Sequence, residues 1–268
     1  MKKLINLVLV LLIGFGSTQS TYAAGGHGAV VDHADMNMSD MASLQNGAKL
    51  FVNYCLSCHN AAYARYNLVA QDLGIPEEIL IENMMFTTDK VGDLMKTAMS
   101  EKDAKEWFGV VPPDLTLVSR VRKPDWLYTY LRGFYQDDGT GSGWNNSLFE
   151  NVAMPHVMYE LQGVQRLVGR VDADDHGTGT AHAADENGLT TDGNVRIVGD
   201  AMLETVIPGT MTADEFDNAM LDLTAFLTYL AEPAQLKRKT IGVYTLGFLI
   251  ILMILCYLLK KEYWRDVH

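Results

Sequence analysis

The sequence predicts a mainly α-helical fold with loop or hairpin insertions and one transmembrane helix near the C-terminus. Apolar residues recur at helical spacing in several segments, and residues typical of helix starts precede those segments. One apolar run, residues 241–259, contains no charge. At helical rise these residues extend about 30 Å, which is enough to cross the hydrocarbon core of a membrane.

The N-terminus has the features of a secretory signal peptide. Lys2 and Lys3 are followed by an apolar core, residues 4–15, and by a small-residue cleavage site at residues 21–24. We therefore predict that residues 1–24 are removed on export. Residues 25–40 show little pattern and are predicted to be a poorly ordered lead-in.

A first helix, capped by Ser39 or Asp40, is predicted to end at a Cys-x-x-Cys-His motif made by Cys55, Cys58 and His59. This pattern is typical of a c-type haem attachment site. Each thiol bonds one haem vinyl group, and the histidine ligates the iron. Bacteria attach haem to this motif outside the cytoplasmic membrane, so the motif agrees with the signal peptide.

Three other interpretations of the motif are weaker. A zinc site needs further Cys or His ligands at matching spacing, and no second cysteine pair exists. A thioredoxin-like redox pair needs a βαβ setting, whereas the flanks look helical. A disulfide across two intervening residues is strained and rare.

Further helices are predicted along the head. Pro76 opens a short helix and Pro124 a longer one. Thr212 and Glu215 form a capping box for the last head helix, which Pro233 ends. Three or more helices around one haem are thus expected.

Residues 169–200 have no helical pattern and are predicted to form a surface hairpin or extended loop, an insertion in the helical domain. Asp172, Asp174 and Asp175 resemble part of a calcium loop, but the terminal bidentate Glu is missing. A solvated tip is the favoured interpretation.

The C-terminal apolar run predicts a membrane anchor over residues 237–260. Three basic residues stand on each side of the run, so positive charge alone does not orient it. The exported haem does, which places residues 25–236 in the periplasm and residues 261–268 in the cytoplasm of a single-pass inner-membrane protein. Tyr263 and Trp264 suit the headgroup layer.

Residues 24–236 carry 13 Lys and Arg against 31 Asp and Glu, a net charge of −18. Solubility is one reading of this excess. The more specific interpretation is a negatively charged surface that attracts a basic partner and provides its docking site. No nucleic-acid partner is expected.

The second axial ligand decides what a haem at this motif does. An open position permits gas binding or peroxidase chemistry, whereas a methionine closes the site and commits it to electron transfer. Met154, beside the rigid Pro155, is the candidate, with Met158 and His156 as rivals. Other methionines in the head are expected to fill gaps in packing.

Several motifs in order resemble the cytochrome c1 family, the haem subunits of the cytochrome bc1 complex (ubiquinol:cytochrome c oxidoreductase), in its bacterial form. They are the haem motif, Pro112-Pro113-Asp114-Leu115 followed by Arg120, Gly143-Trp144-Asn145-Asn146, Ala153-Met154-Pro155-His156, Glu232-Pro233 and the tail at residues 261–268. The resemblance runs from about residue 44 to residue 268. It implies a class I cytochrome c-like helical haem domain.

The resemblance also implies six haem-binding residues, which are Cys55, Cys58, His59, Met154, Arg120 and Pro113. The two cysteines hold one covalent haem c, and His59 and Met154 ligate its iron. Arg120 matches an arginine that pairs with a haem propionate, although an ordinary surface ion pair is the alternative. Pro113 lies in the haem-contacting turn.

The family's role is that of an electron carrier without a catalytic acid–base site of its own. The resemblance implies transfer of electrons from the Rieske iron–sulfur protein to cytochrome c, in the respiratory chain, beside cytochrome b. Two other functions stay open at this point. One is a free-standing membrane-anchored cytochrome c shuttle, and the other is a haem sensor or peroxidase.

Overall fold

The computed structural model describes residues 30–171 and 194–265. The signal peptide, the acidic tip of the insertion and the last three residues, all discussed above, lie outside this part. The predicted mainly helical architecture is confirmed. The helices are α1 Met41–Leu50, α2 Tyr66–Leu73, α3 Glu77–Asn83, α4 Glu101–Phe108, α5 Val118–Arg122, α6 Pro124–Arg132, α7 Tyr159–Gln162, α8 Ala213–Ala231 and α9 Gln235–Tyr263. The strands are β1 Ala61–Arg65, β2 Leu94–Met95, β3 Phe134–Gln136, β4 Trp144–Asn146, β5 Gly163–Arg170, β6 Val195–Val198 and β7 Ala201–Pro208.

The helix starts follow the predicted local chemistry. Asp40 caps α1 by accepting hydrogen bonds from the Ala42 and Ser43 amides. Thr212 and Glu215 form the predicted capping box of α8, with each side chain bonded to the other residue's backbone. These two helices, the longest of the head, supply a large share of its apolar core.

Helices α1 and α8 pack closely because Gly47 lies at their contact. A Cβ atom on Gly47 would stand 2.1 Å from the carbonyl oxygen of Asp222, so any larger residue would push the helices apart. The Asp222 carboxylate also accepts hydrogen bonds from Ser43 and Asn46. This contact fixes the end of α1, from which the haem motif continues.

One π-helical turn, Phe51–Cys55, joins α1 to the motif. It closes with a hydrogen bond from the Leu56 amide to the Phe51 carbonyl, 2.9 Å. Wider turns of this kind are common at functional sites because they re-aim the residues that follow. Here the turn delivers Cys55 to the interior, where the residue is buried.

The connections contain more strand than the sequence indicates. Residues 134–146 form a β3–β4 hairpin, and Phe134 belongs to β3 and not to the preceding helix. Beyond α7, three antiparallel strands pair in the order β5-β7-β6. Gly199, at φ 62°, makes the tight turn from β6 to β7. The described part of the insertion therefore consists of the end of the edge strand β5 and the first half of the β6–β7 hairpin.

The expectation of a poorly ordered lead-in is wrong for residues 30–40. The Asp32 amide donates to Thr129 Oγ1, 2.8 Å, and the Asp32 carboxylate accepts from Arg132, 2.9 Å. The Ala34 amide donates to Asp125 Oδ1, 2.9 Å. These bonds tie the segment along α6, which carries one wall of the site described below.

Helix α9 contains a stretch, Thr240–Tyr263, that is long and apolar enough to cross a membrane and is exposed in the single chain. The helix starts earlier than expected, at Gln235. Only Glu232, Pro233 and Ala234 therefore separate it from α8.

Candidate haem site

A cavity of about 510 Å³ opens beside the end of the first helix. Cys55, Cys58, His59 and Met154 all line it. Apolar side chains from several elements form most of its walls, among them Leu115, Val118, Leu127, Leu131, Leu223 and Leu227. The fold thus brings the two predicted iron ligands and both cysteines to one apolar space.

His59 is oriented by the turn that contains Pro113. Its Nδ1 lies 2.7 Å from the Pro113 carbonyl oxygen, and since a carbonyl only accepts, Nδ1 carries the proton. The unprotonated Nε2 is then left as the metal-binding atom. Burial lowers the pKa of His59, against the opposing effects of this hydrogen bond and of Asp114, so the ring is kept neutral.

The two cysteines are free thiols on the cavity wall. Burial, together with the neighbouring Cys58, raises the pKa of the Cys55 thiol to about 12. Redox-active cysteine pairs have the opposite character, since their reactive thiol has a lowered pKa. Among the described residues, no group of three or more His, Cys, Asp or Glu side chains gathers as a metal site.

Met154 meets a hydrogen-bond donor at the cavity. The Tyr130 hydroxyl donates to its sulfur at 3.4 Å. The rival Met158 has 0% exposure, belongs to the main apolar core and does not line the cavity. The other rival, His156, is buried with its ring stacked on Phe134, centroids 5.0 Å apart, and it is also absent from the cavity wall.

Paired asparagines hold the loop that carries Met154. Asn145 Oδ1 accepts from the Asn151 amide, 2.8 Å, and supports that residue at φ 57°, a left-handed conformation that Asn tolerates. Asn146 Nδ2 donates to the Tyr130 carbonyl, 2.8 Å. Both asparagines are buried. The Gly-Trp-Asn-Asn motif therefore ties α6 to the Met154 loop, a role that the sequence pattern alone does not indicate.

The two arginines of α5 lie in different places. Arg120, the predicted propionate partner, pairs with Glu232 at 3.2 Å, is 60% exposed at its side chain and does not line the cavity. Arg122 does line it, with its guanidinium 4.9 Å from the Trp126 ring centroid and 5.9 Å from that of Phe149. Arg122 was not singled out from the sequence. Within the described chain it makes no ion pair with a carboxylate.

The donor set and the lining fit a c-type haem. Two thiols, a neutral imidazole with a free Nε2 and a thioether face one apolar space, as covalent attachment and axial ligation require. The arginine at the cavity wall offers a partner for a propionate. The ligands themselves remain predictions that spectroscopy of variants can test.

Comparisons with known proteins agree with these features. A model described as the Cytochrome C1 family matches residues 193–267. The chain is 46% identical over 268 residues, all of both chains, to a cytochrome c1 of Allochromatium vinosum. It is 43% identical over 262 residues, 98% of this chain and 97% of the relative, to a protein of Nitrosomonas europaea named ammonia monooxygenase gamma subunit. A cytochrome c1 of Rhodobacter capsulatus is 23% identical over 98% of this chain and 96% of its own.

Proposed function

The chain belongs to the cytochrome c1 family, and from this premise we propose that it carries electrons from a Rieske iron–sulfur protein to cytochrome c within a ubiquinol:cytochrome c oxidoreductase. As a member of this family it is a bc1-type electron-transfer subunit with covalently bound haem c. The observation that supports the finer role is that His59 and Met154 line one cavity. Two protein ligands close the iron to substrates and leave electron transfer as its chemistry.

When bound, haem c supplies a one-electron iron couple. Cys55 and Cys58 hold it, while the Pro113 carbonyl keeps His59 in the tautomer whose Nε2 ligates. Apolar walls exclude water from the site, which tunes the reduction potential and limits reorganisation. No residue of this chain is proposed to move a proton, since quinol chemistry belongs to other subunits.

We propose the membrane arrangement of the sequence analysis for the mature chain. Residues 25–236 form the periplasmic haem domain, residues 237–260 the anchor and residues 261–268 a cytoplasmic tail. The candidate span Thr240–Tyr263 supports the anchor. Cytochrome b and the Rieske protein are the proposed partners in the membrane, and cytochrome c is the acceptor.

Two rival functions are less well supported. A haem sensor or peroxidase requires an open iron position, whereas Met154 lines the cavity beside the motif. A diffusing shuttle gains from a long flexible tether. Here three residues join α8 to α9, so the head has little freedom to move away from the membrane.

The Nitrosomonas europaea relative favours a second candidate assembly. Its name assigns it to ammonia monooxygenase, and its identity to this chain is close to that of the Allochromatium vinosum cytochrome c1. On that candidate, the same haem domain and anchor would serve a different membrane complex. The partners that this chain binds decide between the two.

The test is affinity purification of the tagged full-length chain from membranes dissolved in a mild detergent. The proposal predicts that a cytochrome b and a Rieske protein co-purify and that the preparation reduces cytochrome c with quinol. Co-purification with ammonia monooxygenase subunits instead would support the second candidate. A chain that purifies alone would favour the shuttle.

A further inference from the structure

Tyr130 is a polar residue of the cavity to which the proposed electron-transfer role assigns no part. It sits on α6, lines the cavity and is largely buried. A buried hydroxyl needs a hydrogen-bond acceptor. The acceptor here is the Met154 sulfur, 3.4 Å away.

The Tyr130 ring is fixed from both ends of its own helix. Trp126, one turn before, stacks on it with centroids 4.9 Å apart and an interplanar angle of 12°. Phe134, just after the helix, meets it edge-on at 5.1 Å. The Tyr130 carbonyl accepts from Asn146, whose neighbour Asn145 holds the Met154 loop. The hydroxyl is thus aimed by rigid surroundings.

A thioether sulfur has two lone pairs and is a weak acceptor. If one lone pair accepts the Tyr130 hydrogen, the other is the one left for a metal. The hydrogen bond also withdraws electron density from the sulfur, which weakens its donation to iron and disfavours the oxidised, more positive state.

We propose that Tyr130 is a positioning residue for the Met154 ligand, which it aims through its hydroxyl and whose donor strength it lowers. This inference rests on the proposed function, because it takes Met154 as a ligand of a bound haem. Tyr130 does not touch the reacting partners and acts through Met154 only.

The test compares Tyr130→Phe with wild type in the purified, haem-loaded full chain. The ring and its packing persist in this variant, and only the donor is lost. A net hydrogen bond of typical strength corresponds to about fivefold in an equilibrium constant. Without the hydrogen bond the Met154 sulfur is the stronger donor, so we expect the reduction potential to fall and added imidazole to displace Met154 from the oxidised iron with an affinity about fivefold lower.

Tyr128→Phe is the matched control. Tyr128 lies on the same helix, contacts the Arg132 guanidinium with its ring at 4.2 Å and does not line the cavity. It should match wild type in both measurements. An equal change in both variants would mean a general effect on α6 and would overturn the specific role of Tyr130.

Met154→Leu separates the failure of this inference from that of the site. The Met154→Leu variant is expected to lose the methionine–iron charge-transfer band. If the band is lost in Met154→Leu but Tyr130→Phe equals wild type in imidazole affinity and potential, the role of Tyr130 is overturned while the proposed function stands. If Met154→Leu keeps the band, Met154 is not the ligand and Tyr130 cannot position it. Neither result bears on whether the chain co-purifies with cytochrome b.

Discussion

Single hydrogen bonds decide which atoms of this site are available to a metal. Pro113 engages His59 Nδ1 and leaves Nε2 free. Tyr130 engages one lone pair of the Met154 sulfur. In each case a partner from a different segment of the chain selects the donor atom and its direction, as outer partners commonly do for metal ligands.

The first prediction concerns the covalent attachment of haem by the two cysteines of the motif. Changing Cys55 and Cys58 together to Ser should release the haem when the denatured protein is extracted with acidified acetone, because both thioether bonds are absent. The wild-type chain should keep its haem through the same treatment. The measurement is the absorbance of the protein and solvent fractions. Haem in the solvent fraction of the wild type would contradict the assignment of the motif.

The two arginines of α5 give a second prediction. Arg122→Gln should lower the reduction potential by tens of millivolts, on the order expected for loss of a unit positive charge near a site with an effective dielectric constant of about 20. Arg120→Gln should change it much less, because Arg120 pairs with Glu232 outside the cavity. Redox titration of both variants checks this. A larger shift in Arg120→Gln would restore the propionate role to Arg120.

The sequence could not choose between these two arginines. Residues two positions apart on an α-helix point about 200° away from each other, so only one of them can face the cavity. The Pro-Pro turn indicates that α5 begins nearby, but not its rotation about its axis. Long-range packing against α6 and α8 sets that rotation.

Among the elements, the junction between head and anchor is held by two carboxylates. Glu232 accepts from Arg120 at 3.2 Å and from Arg238 at 2.9 Å. Asp72, on α2, accepts from Lys237 at 3.1 Å and from the Tyr229 hydroxyl, also at 3.1 Å. The first turn of α9 is therefore tied to α2 through Lys237 and to the connection after α8 through Arg238.

Removing these ties should loosen the junction without unfolding the head. Exposed ion pairs contribute about 0–1 kcal/mol each, so Asp72→Asn with Glu232→Gln should change the melting temperature little. Proteolytic cleavage in the three-residue connection should become faster, since that segment opens more often. The measurement is limited proteolysis in detergent micelles. An unchanged cleavage rate would mean that the ion pairs do not fix the head.

Glu204→Gln is the control for this prediction. Glu204 pairs with Arg166 on the sheet, at 2.6 Å, and its loss removes a similar ion pair away from the junction. Cleavage at the connection should be the same as in wild type. Faster cleavage in this variant would point to a general loss of stability.

Helices with strong local signals could be predicted from the sequence, and elements defined by distant contacts could not. The caps at Asp40 and Thr212 are local, and α1 and α8 begin where these residues indicate. The β3–β4 hairpin has strands of three residues, too short for an alternating pattern to stand out. The lead-in looked unstructured because the partners of Asp32, which are Thr129 and Arg132, lie far along the chain.

At the level of the whole molecule, the negative charge of the head is expected to set how fast it associates with other proteins. Residues 24–236 carry a net −18. The association rate with a basic cytochrome c should fall at least about tenfold between about 0.01 and 0.15 M ionic strength, where the Debye length shortens to roughly 8 Å. Stopped-flow reduction of cytochrome c measures this rate. Acetylation of the acceptor's lysines should remove most of the salt dependence, and a rate that is flat with salt would reduce the charge to a solubility feature.

The most direct test of the proposed function is quinol-driven reduction of cytochrome c by membranes that contain either the full chain or a chain truncated before Lys237. Truncation removes nearly all of α9 and leaves the haem site intact. The truncated head should be a soluble, reducible cytochrome. Membranes from cells that make only the truncated chain should lose quinol-driven reduction of cytochrome c. Full activity in membranes that lack the full-length chain would contradict its place as the electron-transfer subunit between quinol oxidation and cytochrome c.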